Sequence, residues 1–286
     1  MRLHTIALPV ARSARTLLEA AQPEPLMVLL VHKVMRAAEE QGFREGRLLL
    51  QDWLTMLLAK HAIATRPRHA THAPSARPEA LCDALRDVPR WVFALLRGPL
   101  LSSHTPLSPH RVSVDGRIAL LALYASLPPR CLLTALYPRL YPYASADQRP
   151  ASPLELSWVA VRASGCRLFL LDAYLVLYVY LAAAPPAKAG ADADAAGEIE
   201  FPPSKQSLLW RHVSKIKAAQ LQTPKVVVCR AGTADGAAFE EHLIEDLPEA
   251  GGGAGGFTFE QFVDWNQQEL QGCIEEHQND IVPQDD

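Results

Sequence analysis

The chain has 286 residues, 49% hydrophobic and 21% charged, with 28 Lys and Arg against 31 Asp and Glu and a formal net charge of -3. That length holds two ordinary domains, each with a core of its own. The balance gives no global attraction to DNA, RNA or an anionic membrane, so any electrostatic binding must come from a local patch, and no nucleic-acid partner is expected.

Residues 3 to 8 alternate loosely and end at Pro9, which reads as one strand with nothing before it to pair with. The apolar run is too short for a signal-peptide core and is followed by Arg12 and Arg15, so no secretory entry is predicted. From Pro23 to Glu40 the pattern is helical, with Leu26, Leu29, Leu30 and Val34 on one face and Gly42 closing the run. A second helix is predicted from about Arg44 to Ile63, with Leu49, Trp53, Met56 and Leu57 as its core-facing stripe. Residues 64 to 79 carry three prolines and no bulky apolar side chain, so a flexible loop is expected. Its Arg66, Arg68, His69, His72 and Arg77 suit lipid phosphates, although a solvated loop is the plainer reading.

Three short helices follow: Val88 to Arg97, Asp115 to Ser126 with Asp115 as N-cap, and Pro129 to Leu136, stopped by Tyr137-Pro138. Up to about residue 146 the chain reads as helix and loop only. After Pro150 its character changes. Strand-like runs at 168 to 171, 174 to 181 and 225 to 229 are interleaved with helices at about 204 to 220, 236 to 246 and 258 to 270, the ordering of one layered α/β domain. Leu168 to Ala184 is nearly all apolar but slightly short of the ~20 residues a membrane span needs, and Asp172 would be costly in hydrocarbon. Its aromatic and β-branched content reads as a buried hairpin turning at Asp172-Ala173, with a buried or membrane helix as the alternative. Residues 182 to 198 and 249 to 256 are low-complexity inserts expected to be mobile. The tail 276 to 286 is acidic and expected to fray.

Little in this pattern speaks of catalysis. The glycines of 251 to 256 lack the Lys-Ser/Thr that a phosphate loop needs. His242 with Glu241, Glu245 and Asp246 offers a His and a carboxylate at i, i+3, a spacing metals use, but with no second His nearby an acidic helix face is the simpler reading. Asp192 and Asp194 lie in an alanine-rich run with nothing to hold them in geometry. Cys229 ends a Val-rich strand beside Arg230, where a nucleophile could be displayed. No nucleophile elbow surrounds it, so a structural thiol is expected and a thiol hydrolase is only the minority reading. The five cysteines are odd in number, widely spaced and without a C-x-x-C pair, which argues against a disulfide framework or a zinc knuckle and for reduced thiols in a cytosolic compartment. No catalytic, cofactor or metal residue is assigned.

The opening run His4 to Val10 with Leu17 to Ala21, the helix Val88 to Arg97, Leu136-Tyr137-Pro138-Arg139-Leu140-Tyr141, Leu170 to Tyr174, and Phe239 to Asp246 with Phe257 to Phe262 together resemble, in order and spacing, the cargo-adaptor branch of the COPII inner-coat subunits. The resemblance implies a truncated β-sandwich ending in an orphan strand (1-10), a helical domain (11-146), a gelsolin-like layered α/β domain (147-275) and the tail, with no enzymatic activity. It implies transport from endoplasmic reticulum to Golgi, a cytoplasmic location peripheral to the endoplasmic-reticulum membrane and COPII vesicles, and a GTPase-activating sister subunit as partner. The small GTPase, transmembrane cargo and SNARE proteins would be engaged only through the complete subunit, and a structural zinc only in a preceding part. The sister subunit shares this architecture. A stand-alone gelsolin-like module binding actin or calcium is the reading from another class, and it would need a cluster of carboxylates.

Overall fold

Two prolines at Pro23 and Pro25 open the first long helix, where a missing N–H costs nothing. In the computed structural model, which describes residues 10–65, 75–101, 113–183, 199–246 and 257–279, that helix is α2 (Pro23–Gln41), preceded by a short α1 (Ala14–Glu19). Gly42, at φ 101, turns the chain into α3 (Phe43–Thr65). α2 and α3 approach closely at Gly46, where an added Cβ would lie 3.2 Å from both the Ala38 Cβ and the Val34 carbonyl oxygen. A 3-10 turn (Pro78–Ala80) and α4 (Val88–Arg97) follow. The chain falls into two compact units, residues 1–96 with 260–286, and residues 97–259.

The first unit is helical. α2 buries the expected Leu30 and Val34 together with Met27, Val31 and Met35 but leaves Leu29 69% exposed, whereas α3 buries Leu50, Leu54 and Leu58 in place of its expected stripe, with Met56 exposed. In the leucine-rich run of α3 a shift of one residue rotates the stripe by about 100° and leaves an equally apolar pattern, so periodicity alone could not choose between them. Part of the expected loop 64 to 79 is packed. Ala64 and Thr65 end α3, Ala76 and Pro78 are buried, and the Ala76 N–H donates to Gln267 Oε1 at 2.7 Å. Small side chains fit tightly beneath a helix, which the absence of bulky residues concealed. Residues 66 to 74, with Arg66, Arg68, His69 and His72, lie outside the described residues, as does the strand expected at 3 to 8. The terminal helix α10 (Phe259–Asn279) continues well past residue 270, since no proline interrupts it before Pro283, and its Phe262 ring lies 5.4 Å from that of Phe93.

The second unit contains α5 (Val114–Ser126), capped by Ser113 rather than Asp115, and α6 (Pro129–Leu136). The next residues form β1 (Arg139–Tyr143), so the reading of helix and loop up to residue 146 fails here. Pro142 disguised this strand. β1 is an edge strand, where a proline is tolerated because the outer side needs no donor. After α7 (Trp158–Ala163) come β2 (Leu168–Asp172) and β3 (Val176–Leu181), the expected buried hairpin and not a helix. Then follow α8 (Leu208–Ala219), β4 (Lys225–Arg230) and α9 (Ala234–Glu240). The sheet order is β1-β2-β3-β4, antiparallel between the first three strands and parallel between β3 and β4.

Alternation along the strands sorts the core onto two faces. Leu140, Phe169, Leu171, Tyr178, Tyr180, Val227 and Cys229 pack with Val161 of α7 and Phe239 of α9. Tyr143, Leu168, Leu170, Leu177 and Val179 pack with Leu209 and Val213 of α8 on the other. This is a helix-covered sheet, the layered α/β arrangement expected. Both expected inserts fall almost wholly outside the described residues, at 184 to 198 and 247 to 256, and with them Asp192, Asp194 and the glycine run.

Candidate functional site

Of the polar residues singled out in the sequence, Glu245 and Asp246 lie where the chain after α9 meets Tyr137, Leu156 and Ser157, and the structure uses them as ties. α9 ends early: Thr233 caps it by accepting from the Gly236 N–H at 3.0 Å, and tight i, i+3 bonds from His242 to Phe239 and from Leu243 to Glu240 unwind the chain where a helix to residue 246 was expected. The released backbone has a better partner nearby. The Glu245 N–H donates to the Leu156 carbonyl at 2.9 Å, and the Glu245 carbonyl accepts from Phe259 N–H at 2.9 Å.

The side chains follow suit. Glu245, 5% exposed, accepts a hydrogen bond from the Tyr137 hydroxyl, whose oxygen in turn accepts the Leu156 N–H at 3.1 Å. Asp246 accepts from Ser157 Oγ at 2.7 Å and from the Val159 N–H at 3.1 Å, so Ser157 and Asp246 together cap α7. A carboxylate at a helix N-terminus is favoured by the exposed amides and the helix dipole. Glu240 accepts from the Tyr180 hydroxyl at 2.8 Å, and the Tyr180 and Phe239 rings stack at 4.0 Å. His242 lies with its ring 5.5 Å from Tyr178. Glu240, Glu245 and Asp246 therefore serve as hydrogen-bond acceptors, and among the described residues no group of three His, Cys, Asp or Glu side chains is placed to hold a metal ion.

Cys229 is buried at 4% exposure, and its thiol is pushed up to about 11 by burial, with Asp235 and Glu240 adding to the shift. A thiol so shifted stays protonated at neutral pH, the reverse of what a nucleophile needs. Arg230 does not activate it. The Arg230 guanidinium lies 5.0 Å over the Phe201 ring and donates to the Phe201 carbonyl at 2.8 Å. All five cysteines are free.

On the other face, Tyr143 and His212 share a hydrogen bond of 2.7 Å joining β1 to α8, with His212 shifted down by burial and then by Lys215. Asp172 closes the β2–β3 turn: it accepts from the Tyr174 N–H at 3.1 Å and from Gln220 Nε2 at 2.8 Å, while burial raises its carboxyl above the usual range. Tyr174 takes the left-handed conformation there, at φ 64. Sequence patterning foresaw the turn but not these partners, which come from segments 48 and 69 residues away. No helix of the described residues is long and apolar enough to cross a membrane.

A helical unit and a four-strand mixed sheet between helices make up the described structure, with Glu240, Glu245 and Asp246 engaged in hydrogen bonds that hold that frame. Residues 22–134 match the family described as the Sec23/Sec24 helical domain. The chain is 35% identical over 272 residues to the Arabidopsis thaliana protein named "Protein transport protein SEC23 D", covering 92% of this chain and 34% of that protein. It also resembles the solved structure of the human COPII-coat protein Sec24c, with a TM-score of 0.69 and 17% identity over 95% of this chain and 34% of the other, a likeness of fold. The chain thus spans about a third of the length of the curated relative it matches.

Proposed function

We propose that this chain is a structural portion of a COPII inner-coat subunit of the Sec23/Sec24 type, acting in protein transport from the endoplasmic reticulum to the Golgi. The observation that carries this reading is the match of residues 22–134 to the Sec23/Sec24 helical domain, in a chain that also holds a layered α/β unit, with the 35% identity running through nearly the whole chain. The mechanism is one of shape: packed helices and a sheet whose edge is pinned by Tyr137, Ser157, Glu245 and Asp246 present a stiff surface to coat partners. The subunit would be cytoplasmic and peripheral to the endoplasmic-reticulum membrane. Its partners would be the other inner-coat subunit and, through the complete subunit, the coat's small GTPase and cargo.

The two branches of the family make different use of this frame. The cargo-adaptor branch is the one the residue blocks resemble, while the identity to a protein named Sec23 favours the GTPase-activating branch. Two experiments test the reading. Affinity capture of the tagged chain from cells should co-purify an inner-coat subunit, and capture of none would sink it. Addition of the complete subunit that carries this chain to the coat's GTPase separates the branches: faster GTP hydrolysis assigns it to the Sec23 side, and an unchanged rate with cargo-tail capture assigns it to the adaptor side.

A further inference from the structure

The sheet has two edges, and among the described residues only one of them is closed. Along β1 the backbone of Leu140 and Pro142 turns away from β2, and an extended segment lies against it. The Leu140 carbonyl accepts the Leu154 N–H at 2.8 Å, the Pro142 carbonyl accepts the Ala151 N–H at 3.3 Å, and Leu154 bridges antiparallel to Leu140. Pro142 has no N–H to leave open. β4 is the other edge. It runs parallel to β3 without a break in register, and the Lys225 and Ala231 N–H groups donate to the Leu175 and Leu181 carbonyls at 2.9 and 3.0 Å. In such a strand the N–H and C=O of one residue point to the same side, and the sides alternate along the chain. Val227 and Cys229 therefore face β3 with Lys225, whereas Val226, Val228 and Arg230 turn their backbone outward.

The Arg230 carbonyl is occupied by Thr233, whose N–H and hydroxyl donate to it at 3.3 and 2.7 Å. The N–H and C=O groups of Val226 and Val228 have no hydrogen-bond partner among the described residues. Proteins protect such an edge with proline, a bulge, an inward-pointing charge or a covering segment. The run Lys-Val-Val-Val-Cys-Arg of β4 has charges only at its two ends, no proline and no bulge. The Val226 and Val228 side chains are half-buried on the face packed by Leu209 and Val213 of α8. An added strand therefore meets open backbone groups with an apolar surface beside them.

We propose that the outer edge of β4 is a docking site for an extended segment of a partner protein, which adds a fifth strand beside Val226 and Val228 and carries β-branched or aliphatic side chains on the face it shares with them. The backbone selects this occupant. Val226 and Val228 present two donors and two acceptors on one line, roughly 7 Å apart. Another extended chain repeats that spacing, as residues 151 to 154 do against β1. A helix cannot match it, because its own N–H and C=O groups are already paired along its axis. Length selects a short segment over a second copy of this chain. A contact confined to so few residues falls far below the area of about 1,000 Å² that a stable dimer buries.

The test uses the full chain with a fluorescein-labelled heptapeptide of alternating Thr and Val, read by anisotropy, together with hydrogen exchange resolved to single amides. In the free chain the Val226 and Val228 amides should exchange at least tenfold faster than those of Val227 and Cys229, and saturating peptide should slow them at least tenfold. Affinity should fall at least tenfold for the same peptide N-methylated at its five central residues. It should fall as far for Val228→Pro, which removes one outward N–H and none of the bonds to β3. Val228→Thr keeps that N–H and should bind as the wild type does. Circular dichroism checks that each variant is folded, and if Val228→Pro is not, the N-methylated peptide decides. Slow exchange of Val226 and Val228 in the free chain, no binding of the peptide, equal binding of its N-methylated form, or undiminished binding by folded Val228→Pro overturns the proposal. So does a dimer by light scattering whose formation protects the same two amides, since the occupant would then be a second copy.

Discussion

The hydroxyl of Tyr137 donates to the carboxylate of Glu245 across 108 residues of sequence, and the same oxygen accepts the Leu156 N–H. One side chain therefore fastens the end of α6, the loop before α7 and the segment after α9. Removing the hydroxyl leaves the Leu156 amide and the Glu245 carboxylate each short of one bond in a buried setting, a loss on the order of 1–3 kcal/mol. Tyr137→Phe should lower the melting temperature of the chain by several degrees without changing its helix content. A melting temperature within a degree of wild type would show that this tie is dispensable.

Gly236 lies in the first turn of α9 with no unusual backbone angle, so its need for glycine is purely spatial. A Cβ there would come within 2.1 Å of the Arg230 carbonyl oxygen, a backbone atom at the end of β4. Relief requires moving the helix off the strand, and overpacking of this kind costs about 1–3 kcal/mol. Gly236→Ala should therefore destabilise the protein in urea, although alanine is the better helix former and would stabilise an exposed site. An unchanged or raised urea midpoint would contradict that packing.

Much of the architecture was legible because local chemistry spoke clearly. Pro23 and Pro25, Gly42, Pro128-Pro129 and Tyr137-Pro138 mark helix ends within a residue or two, and the Phe169 to Tyr180 composition marks the hairpin. What failed was information that resides in partners distant in sequence. β1 was hidden by Pro142, acceptable only because the strand is at an edge; α7 depends on a cap completed by Asp246 from 89 residues away. The end of α9 is set by competition for the Glu245 amide, which no periodicity records. The acidic cluster at 241 to 246 was visible as a cluster, but its role as acceptor for Tyr137 and Ser157 was not.

Cys229 offers a direct reading of its surroundings. With the thiol buried and pushed up to about 11, its thiolate fraction at neutral pH is very small. Timed iodoacetamide labelling followed by peptide mapping should modify Cys229 only after denaturation, while the half-buried Cys82, Cys131, Cys166 and Cys273 react sooner. Rapid labelling of Cys229 in the folded chain would revive a nucleophilic role.

His61 makes folding of the helical unit depend on pH. Its ring is buried and its Nε2 accepts the Cys82 N–H at 3.2 Å, a bond that needs the ring neutral on that nitrogen. Burial lowers its pKa in the folded chain, with Glu19 opposing more weakly. The unfolded chain keeps an ordinary histidine, near 6.5. Below that value the unfolded state binds the additional proton first, so stability falls as pH drops through the unfolded value towards the lower folded one, and the His61 contribution is complete above it. His212 is also shifted down, so wild-type pH dependence alone would not identify the residue. His61→Gln keeps a carbonyl acceptor for Cys82 and cannot titrate. The difference in unfolding free energy between pH 7.5 and pH 5.5 should be smaller in His61→Gln than in the wild type, and equal differences would remove His61 from the pH response.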